Sequence, residues 1–269
     1  MPGTQPAGTS DPPSTSGASL VVPARFCGPP HSANGGYVAS RVASYVGLTS
    51  VDETAPHGRE PQAVTTVLRA PIPLDTPALV TSDGDTVTVR LDHRVLAEAA
   101  PGRLDTDPPE PVGYADAAAA GERYPGYARH PMPTCFGCGV DRRPGDGIRL
   151  AVGSVGDGRV AGTWQPDESM FALGDDGGPV PAEFAWTVLD CAAAWAWDFA
   201  AEPALLGTMT GIVDEAPYVG ERCVVVATVL GREGRKIHTA SALYDADGRV
   251  LGRAQSVWIT VDPARIGTP

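Results

Sequence analysis

The chain has 269 residues, a 42% hydrophobic fraction and a formal net charge of −12, with a pI near 4.7. That length carries one large domain or two small ones, each with a real core. The acidic balance argues against a nucleic-acid or anionic-membrane surface, and no apolar run is long enough to span a bilayer.

Residues 1–19 are rich in Pro, Gly, Ser and Thr, without periodicity. A disordered lead-in is expected there, not a secretory signal, because a basic start and an apolar stretch are missing. Five cysteines, an odd number, then fit reduced thiols in a cytoplasm better than a disulfide framework. Leu20 to Phe26 reads as a short strand. It runs into the turn-rich loop Cys27-Gly28-Pro29-Pro30-His31-Ser32-Ala33-Asn34-Gly35-Gly36-Tyr37, and Tyr37 to Leu48 reads as a helix opened by Asn34 or the glycines. Ala63 to Arg69, Ala78 to Thr81, Thr86 to Leu91 and Val95 to Ala99 read as strands. A Pro- and Ala-rich linker is expected over 101–129, with one short helix at Tyr114 to Glu122.

After the linker comes Cys135-Phe136-Gly137-Cys138-Gly139, and then a hairpin of Ile148 to Val152 with Arg159 to Trp164. Val180 to Phe199 reads as one helix of about five turns, roughly 30 Å long. It is apolar on all sides, which predicts a buried helix. Glu183, Thr187 and Asp190 share one narrow stripe on it. A carboxylate between Leu189 and Cys191 must be paired or line a wet pocket. Leu205 to Asp214, Glu221 to Gly231, Lys236 to Tyr244 and Val250 to Thr260 read as four further strands.

The halves match in element order, and Asp92-His93-Arg94-Val95-Leu96 parallels Asp247-Gly248-Arg249-Val250-Leu251. This indicates a degenerate internal duplication, with the first copy shorter by about one hairpin. The units are 20–100 and 130–262, with a tail at 263–269.

A buried helix followed by long antiparallel strands, present twice, resembles an α+β tandem (double) hotdog fold. Pro181 to Asp190 is similar to the helix start of PaaI-like and 4-hydroxybenzoyl-CoA-type acyl-CoA thioesterases. Asn34-Gly35-Gly36-Tyr37 resembles the loop of the same pattern, much as in TesB-type double-hotdog enzymes. Together with Cys135-Phe136-Gly137-Cys138-Gly139, the set is similar to actinobacterial double-hotdog proteins of thioesterase type. The resemblance implies a thioester hydrolase acting on acyl-CoA or acyl-carrier-protein, with a site between the two units. In the second half the glycine pair is replaced by Pro181-Ala182-Glu183. Setting Gly36 against Glu183 puts Ala43 opposite Asp190. Each half lacks what the other keeps, so one composite site per chain is expected.

Thioester hydrolysis needs donors at the carbonyl oxygen and a carboxylate to activate water or to attack. Asp190 is the candidate base or nucleophile, and the Gly35 and Gly36 amides are the candidate oxyanion site. Asn34 is a candidate for the carbonyl or for an N-cap, and Thr187 for orienting water or for bonding its own helix. His31, Tyr37, Glu183 and Trp186 are candidate substrate contacts. Cys135 and Cys138 lack a second cysteine pair, and His130 is the one nearby third ligand, so a thiol-bearing loop is favoured over zinc. Cys191 is assigned to core packing. No metal or cofactor is expected, and a homodimer is left open. A hydratase or dehydratase on the same fold and a non-catalytic acyl binder are the alternative readings.

Overall fold

The computed structural model describes residues 17–47, 62–170 and 178–266. Of the lead-in expected over 1–19, residues 1–16 lie outside the described residues, whereas Ala18 and Ser19 pair with Val80 and Leu79 in a strand. The helix expected over Tyr37 to Leu48 runs from Gly35 to Ala43, opened by the Asn34 cap; Leu48 lies outside the described residues. The first unit comprises β1 (Ala18–Leu20), α1 (Gly35–Ala43), β2 (Val64–Leu68), β3 (Ala78–Asp83), β4 (Thr86–Leu91) and β5 (Arg94–Pro101). After α2 (Tyr114–Gly121) come β6 (Gly153–Gly156), β7 (Arg159–Trp164), α3 (Ala182–Ala194), β8 (Ala204–Val213), β9 (Cys223–Glu233), β10 (Lys236–Asp245) and β11 (Val250–Thr260).

The eleven strands among the described residues form one antiparallel sheet, in the order β1-β3-β4-β5-β2-β8-β11-β10-β9-β7-β6. Outward from its middle, β2-β5-β4-β3-β1 is matched by β8-β11-β10-β9-β7, and β6 is the one additional strand. The two halves meet where β2 pairs with β8, from Val64 opposite Gly211 to Val67 opposite Thr208. At that seam the hydroxyls of Thr65 and Thr210 lie 2.8 Å apart. The similar segments at Asp92 and Asp247 both form the turn into the last strand of their unit, β4 to β5 and β10 to β11.

α1 and α3 pack on one another, and both lie on the same core. Cys223, Val225 and Ala227 of β9 point into that core. Val224 and Val226 alternate to the other face, where Ala117 of α2 packs against them. Residues 101–129 are therefore not a bare linker: Ala117 and Ala120 are fully buried, and α2 covers the back of the second unit.

Three further elements differ from expectation. The first strand stops at Leu20 and gives way to a single 3-10 turn at Ala24–Phe26, since Pro23 has no N–H for a ladder. α3 ends at Ala194 and spans 13 residues, not the full stretch to Phe199. Asp198 instead accepts from the Ala201 N–H at 3.1 Å and organises a new turn. Ile148 to Val152 is not a strand; Ile148 and Leu150 donate to the carbonyls of Phe136 and Gly137, and the hairpin begins at Gly153. Among the described residues no helix is long and apolar enough to cross a membrane.

Candidate functional site

Asp190 lies in the third turn of α3, where ten neighbours from Phe184 to Ala194 are also buried. It is 3% exposed. Its Oδ2 accepts from the Gly36 N–H at 2.9 Å, across the contact between α3 and the first turn of α1. Its Oδ1 is buried with no hydrogen-bond partner among the described residues. Burial pushes this carboxyl up to about 8, against the pull of the Gly36 N–H. A carboxyl that titrates near neutrality can both take and return a proton.

The closeness of the two helices depends on Gly36. A Cβ there would come within 2.5 Å of both Asp190 Cβ and the Trp186 carbonyl oxygen. α1 begins where the Asn34 side chain accepts from the Tyr37 N–H at 2.9 Å. The Gly35 N–H, in that first turn, has no acceptor among the described residues.

A mostly apolar cavity of about 250 Å³ opens beside Asp190. Its walls come from both units: Asn34 and Gly35, Ile72 in the segment after β2, Leu206 of β8 and Trp258 of β11. Asp190 and Gly35 face this cavity. The first turn of one unit and the acid of the other thus meet in one crevice. With Gly36 aligned to Glu183, Ala43 of α1 takes the place of Asp190 in α3, and α1 carries no carboxylate.

Several proposed site residues do different work. Gly36 is not a free oxyanion donor, because its N–H is bonded to Asp190. The Asn34 carboxamide is also occupied, capping α1 through its oxygen while its nitrogen donates to two sulfurs. The Thr187 hydroxyl donates to the Glu183 carbonyl at 2.7 Å and does not reach the cavity. Glu183, Tyr37, Trp186 and His31 do not line it either. Tyr37 stacks on Phe26 with ring centroids 4.1 Å apart. The Trp186 ring covers Gly211, and His31 is exposed.

The cavity also holds something that the sequence reading separated. Cys191, one residue beyond Asp190, joins Cys135 and Cys138, and the three sulfurs lie within 4.8 Å of one another, all buried. Asn34 Nδ2 donates to the sulfurs of Cys135 at 3.6 Å and Cys191 at 3.7 Å. Thiol donation from Cys138 and then Cys191 holds Cys135 well below the ordinary thiol range, and that same donation raises the other two. His130 does not join them. Its Nδ1 accepts from the Met132 N–H at 3.0 Å, so its Nε2 carries the proton that it donates to the Cys138 carbonyl at 3.1 Å. Burial keeps this imidazole below its usual value. Cys-x-x-Cys was visible in the sequence; its third member, on another element, was not.

No protein-family profile matches the chain, and no curated protein matches it by sequence. Solved structures do. A conserved protein of unknown function with hot dog fold from Alicyclobacillus acidocaldarius is 14% identical, with a TM-score of 0.57 over 91% of this chain and 93% of that one. A tesB protein from Mycobacterium avium subsp. paratuberculosis is 15% identical, with a TM-score of 0.54 over 86% and 88%. The acyl-CoA thioesterase II TesB2 from Mycobacterium marinum is 12% identical, with a TM-score of 0.53 over 91% and 93%. These likenesses give the chain a hot dog fold.

Proposed function

We propose that the chain hydrolyses thioesters of the acyl-CoA or acyl-carrier-protein class, with Asp190 as the base. The observation that carries this reading is the unpartnered Asp190 Oδ1 in an apolar cavity, next to a free backbone donor. Thioesterase names among the structures of the same fold support it. We read the two units as a duplicated hot dog domain with a single composite site.

In this mechanism a water lies between Asp190 Oδ1 and the thioester carbonyl carbon. Asp190 takes a proton as the water oxygen forms its bond to carbon. The carbonyl oxygen gains negative charge and accepts from the Gly35 N–H, at the positive end of α1. When the tetrahedral intermediate collapses, the carbon–sulfur bond breaks. The proton returns from Asp190 to the departing sulfur, leaving a free acid and a free thiol. Gly36 keeps the carboxylate oriented through Oδ2, and the apolar walls take the acyl chain. The five free buried cysteines support a cytoplasmic setting. The partner is the thioester itself, with no role for nucleic acid.

Incubation with a panel of saturated and 2-enoyl-CoAs tests the reading. The expected result is release of free CoA by wild type, lowered by about 10²-fold or more in Asp190→Asn. Loss of the enoyl chromophore without CoA release would replace hydrolysis with hydration. Equal rates for Asp190→Asn and wild type would remove the assigned base.

A further inference from the structure

We infer that Cys135, Cys138 and Cys191 form a binding site for one thiophilic divalent cation of the zinc class, bordering the cavity and open on its fourth side. The inference needs only the three sulfurs and is independent of the hydrolase reading. Three sulfurs within 4.8 Å of one another are close to what such an ion requires. Around tetrahedral zinc, with bonds of about 2.3 Å, thiolate sulfurs sit roughly 3.8 Å apart. A contraction of at most about an ångström completes the triangle.

The chain holds these sulfurs from two directions. The Cys135 loop is fixed by backbone bonds on both sides: Phe136 N–H to the Cys27 carbonyl at 2.7 Å, Gly139 N–H to the Cys135 carbonyl at 2.9 Å, and Leu150 N–H to the Gly137 carbonyl at 2.8 Å. Cys191 comes from α3, and it can reach the loop because residue 137 has no side chain. A Cβ at Gly137 would lie 2.2 Å from the Cys191 sulfur. Asn34 supplies N–H donors to Cys135 and Cys191, the kind of outer contact that steadies thiolate ligands.

Charge and ligand chemistry point to the same kind of ion. Three thiolates buried together are unfavourable without a cation to balance them. Sulfur ligands select zinc-like ions over magnesium or calcium, which take oxygen. His130 cannot be the fourth ligand, since both ring nitrogens are engaged with backbone. All three cysteines line the cavity, so the remaining corner is left to water or to a sulfur or oxygen of whatever enters. Three protein ligands with one open position is the pattern of reactive zinc sites, whereas structural ones close all four.

The full-length chain, purified under reducing conditions without chelator, decides the matter by elemental analysis and cobalt exchange. The expected result is about one zinc per chain. Replacement by Co²⁺ should give a thiolate-to-cobalt charge-transfer band whose strength falls in Cys135→Ser and in Cys191→Ser but not in Cys223→Ser. Asn34→Ser keeps a capping oxygen and loses the N–H donors, so it should weaken cobalt affinity by about 10–100-fold without unfolding α1. That variant keeps the test informative if a cysteine variant fails to fold. Sub-stoichiometric metal together with no charge-transfer band on Co²⁺ addition to wild type would overturn the site. A Cys135–Cys138 disulfide trapped from freshly lysed cells, or a cobalt band unchanged in a folded Cys191→Ser, would do the same.

Discussion

Asp190 is the residue whose chemistry the surrounding chain amplifies. Removing it from water raises its carboxyl to about 8, and the only donor it receives among the described residues is the Gly36 N–H. Thr187 sits on the same stripe of α3, yet its hydroxyl is spent on the helix backbone at Glu183. Thr187→Val should therefore leave kcat near wild type. A fall comparable to that of Asp190→Asn, measured in the same CoA-release assay, would return Thr187 to the mechanism. The acid was legible in the sequence because an ionisable group in a run of Ala, Trp and Leu has few innocent explanations. Asn34 was legible as a cap for a similar local reason, three residues before Tyr37. The thiol cluster was not legible. Cys191 meets Cys135 only because α3 and the loop before Ile148 converge, and nothing local to either segment encodes that meeting. His31, Tyr37, Glu183 and Trp186 failed as cavity residues because adjacency along a helix or loop does not fix which way a side chain faces.

At the scale of elements, the contact between α1 and α3 sets the distance between acid and amide. Gly36→Ala would drive a methyl into Asp190 Cβ and the Trp186 backbone, neither of which can swing away. A loss of about 1–3 kcal/mol in unfolding free energy is expected from urea titration, together with reduced activity. Gly35→Ala is the milder control, since its added Cβ meets the Leu206 side chain at 2.9 Å. Equal stability of Gly36→Ala and wild type would show that the helices do not need this approach. Strand positions were readable from turns and apolar runs, and in β4 from alternation of Val with polar residues; β9 and β10 are buried on both faces over much of their length and show no such period. Ends were harder. α3 ends at Ala194 and the Asp198 side chain organises a separate turn by accepting from the Ala201 N–H, although Ala194 to Phe199 keeps a helix-like composition. The fate of 101–129 was hidden as well, because two small alanines on α2 do not announce a packed face until β9 is placed beneath them.

Across the whole molecule, the sheet and the main core run without interruption from one unit into the other. The halves should therefore unfold together. The five tryptophans, at 164, 186, 195, 197 and 258, all belong to the second unit, so their fluorescence reports on that half while far-ultraviolet circular dichroism reports on both. Coincident urea transitions by the two probes are expected. A fluorescence midpoint displaced from the dichroism midpoint would mean that the units melt separately. The repeated order of strands was foreseen from the duplicated segments, but the continuity of the sheet through β2 and β8 was not, since neither strand carries a sequence mark for its partner. That seam has a consequence for heredity as well as for folding. In a pair of identical subunits every substitution strikes twice, and a change that sharpens one crevice alters its twin equally. On the proposed reading of a duplicated domain, the copies are tied into one polypeptide, so one flank could surrender its acid and the other its glycines while a working combination survived between them. Titration with a tight-binding thioester analogue should accordingly saturate at a single equivalent for each polypeptide.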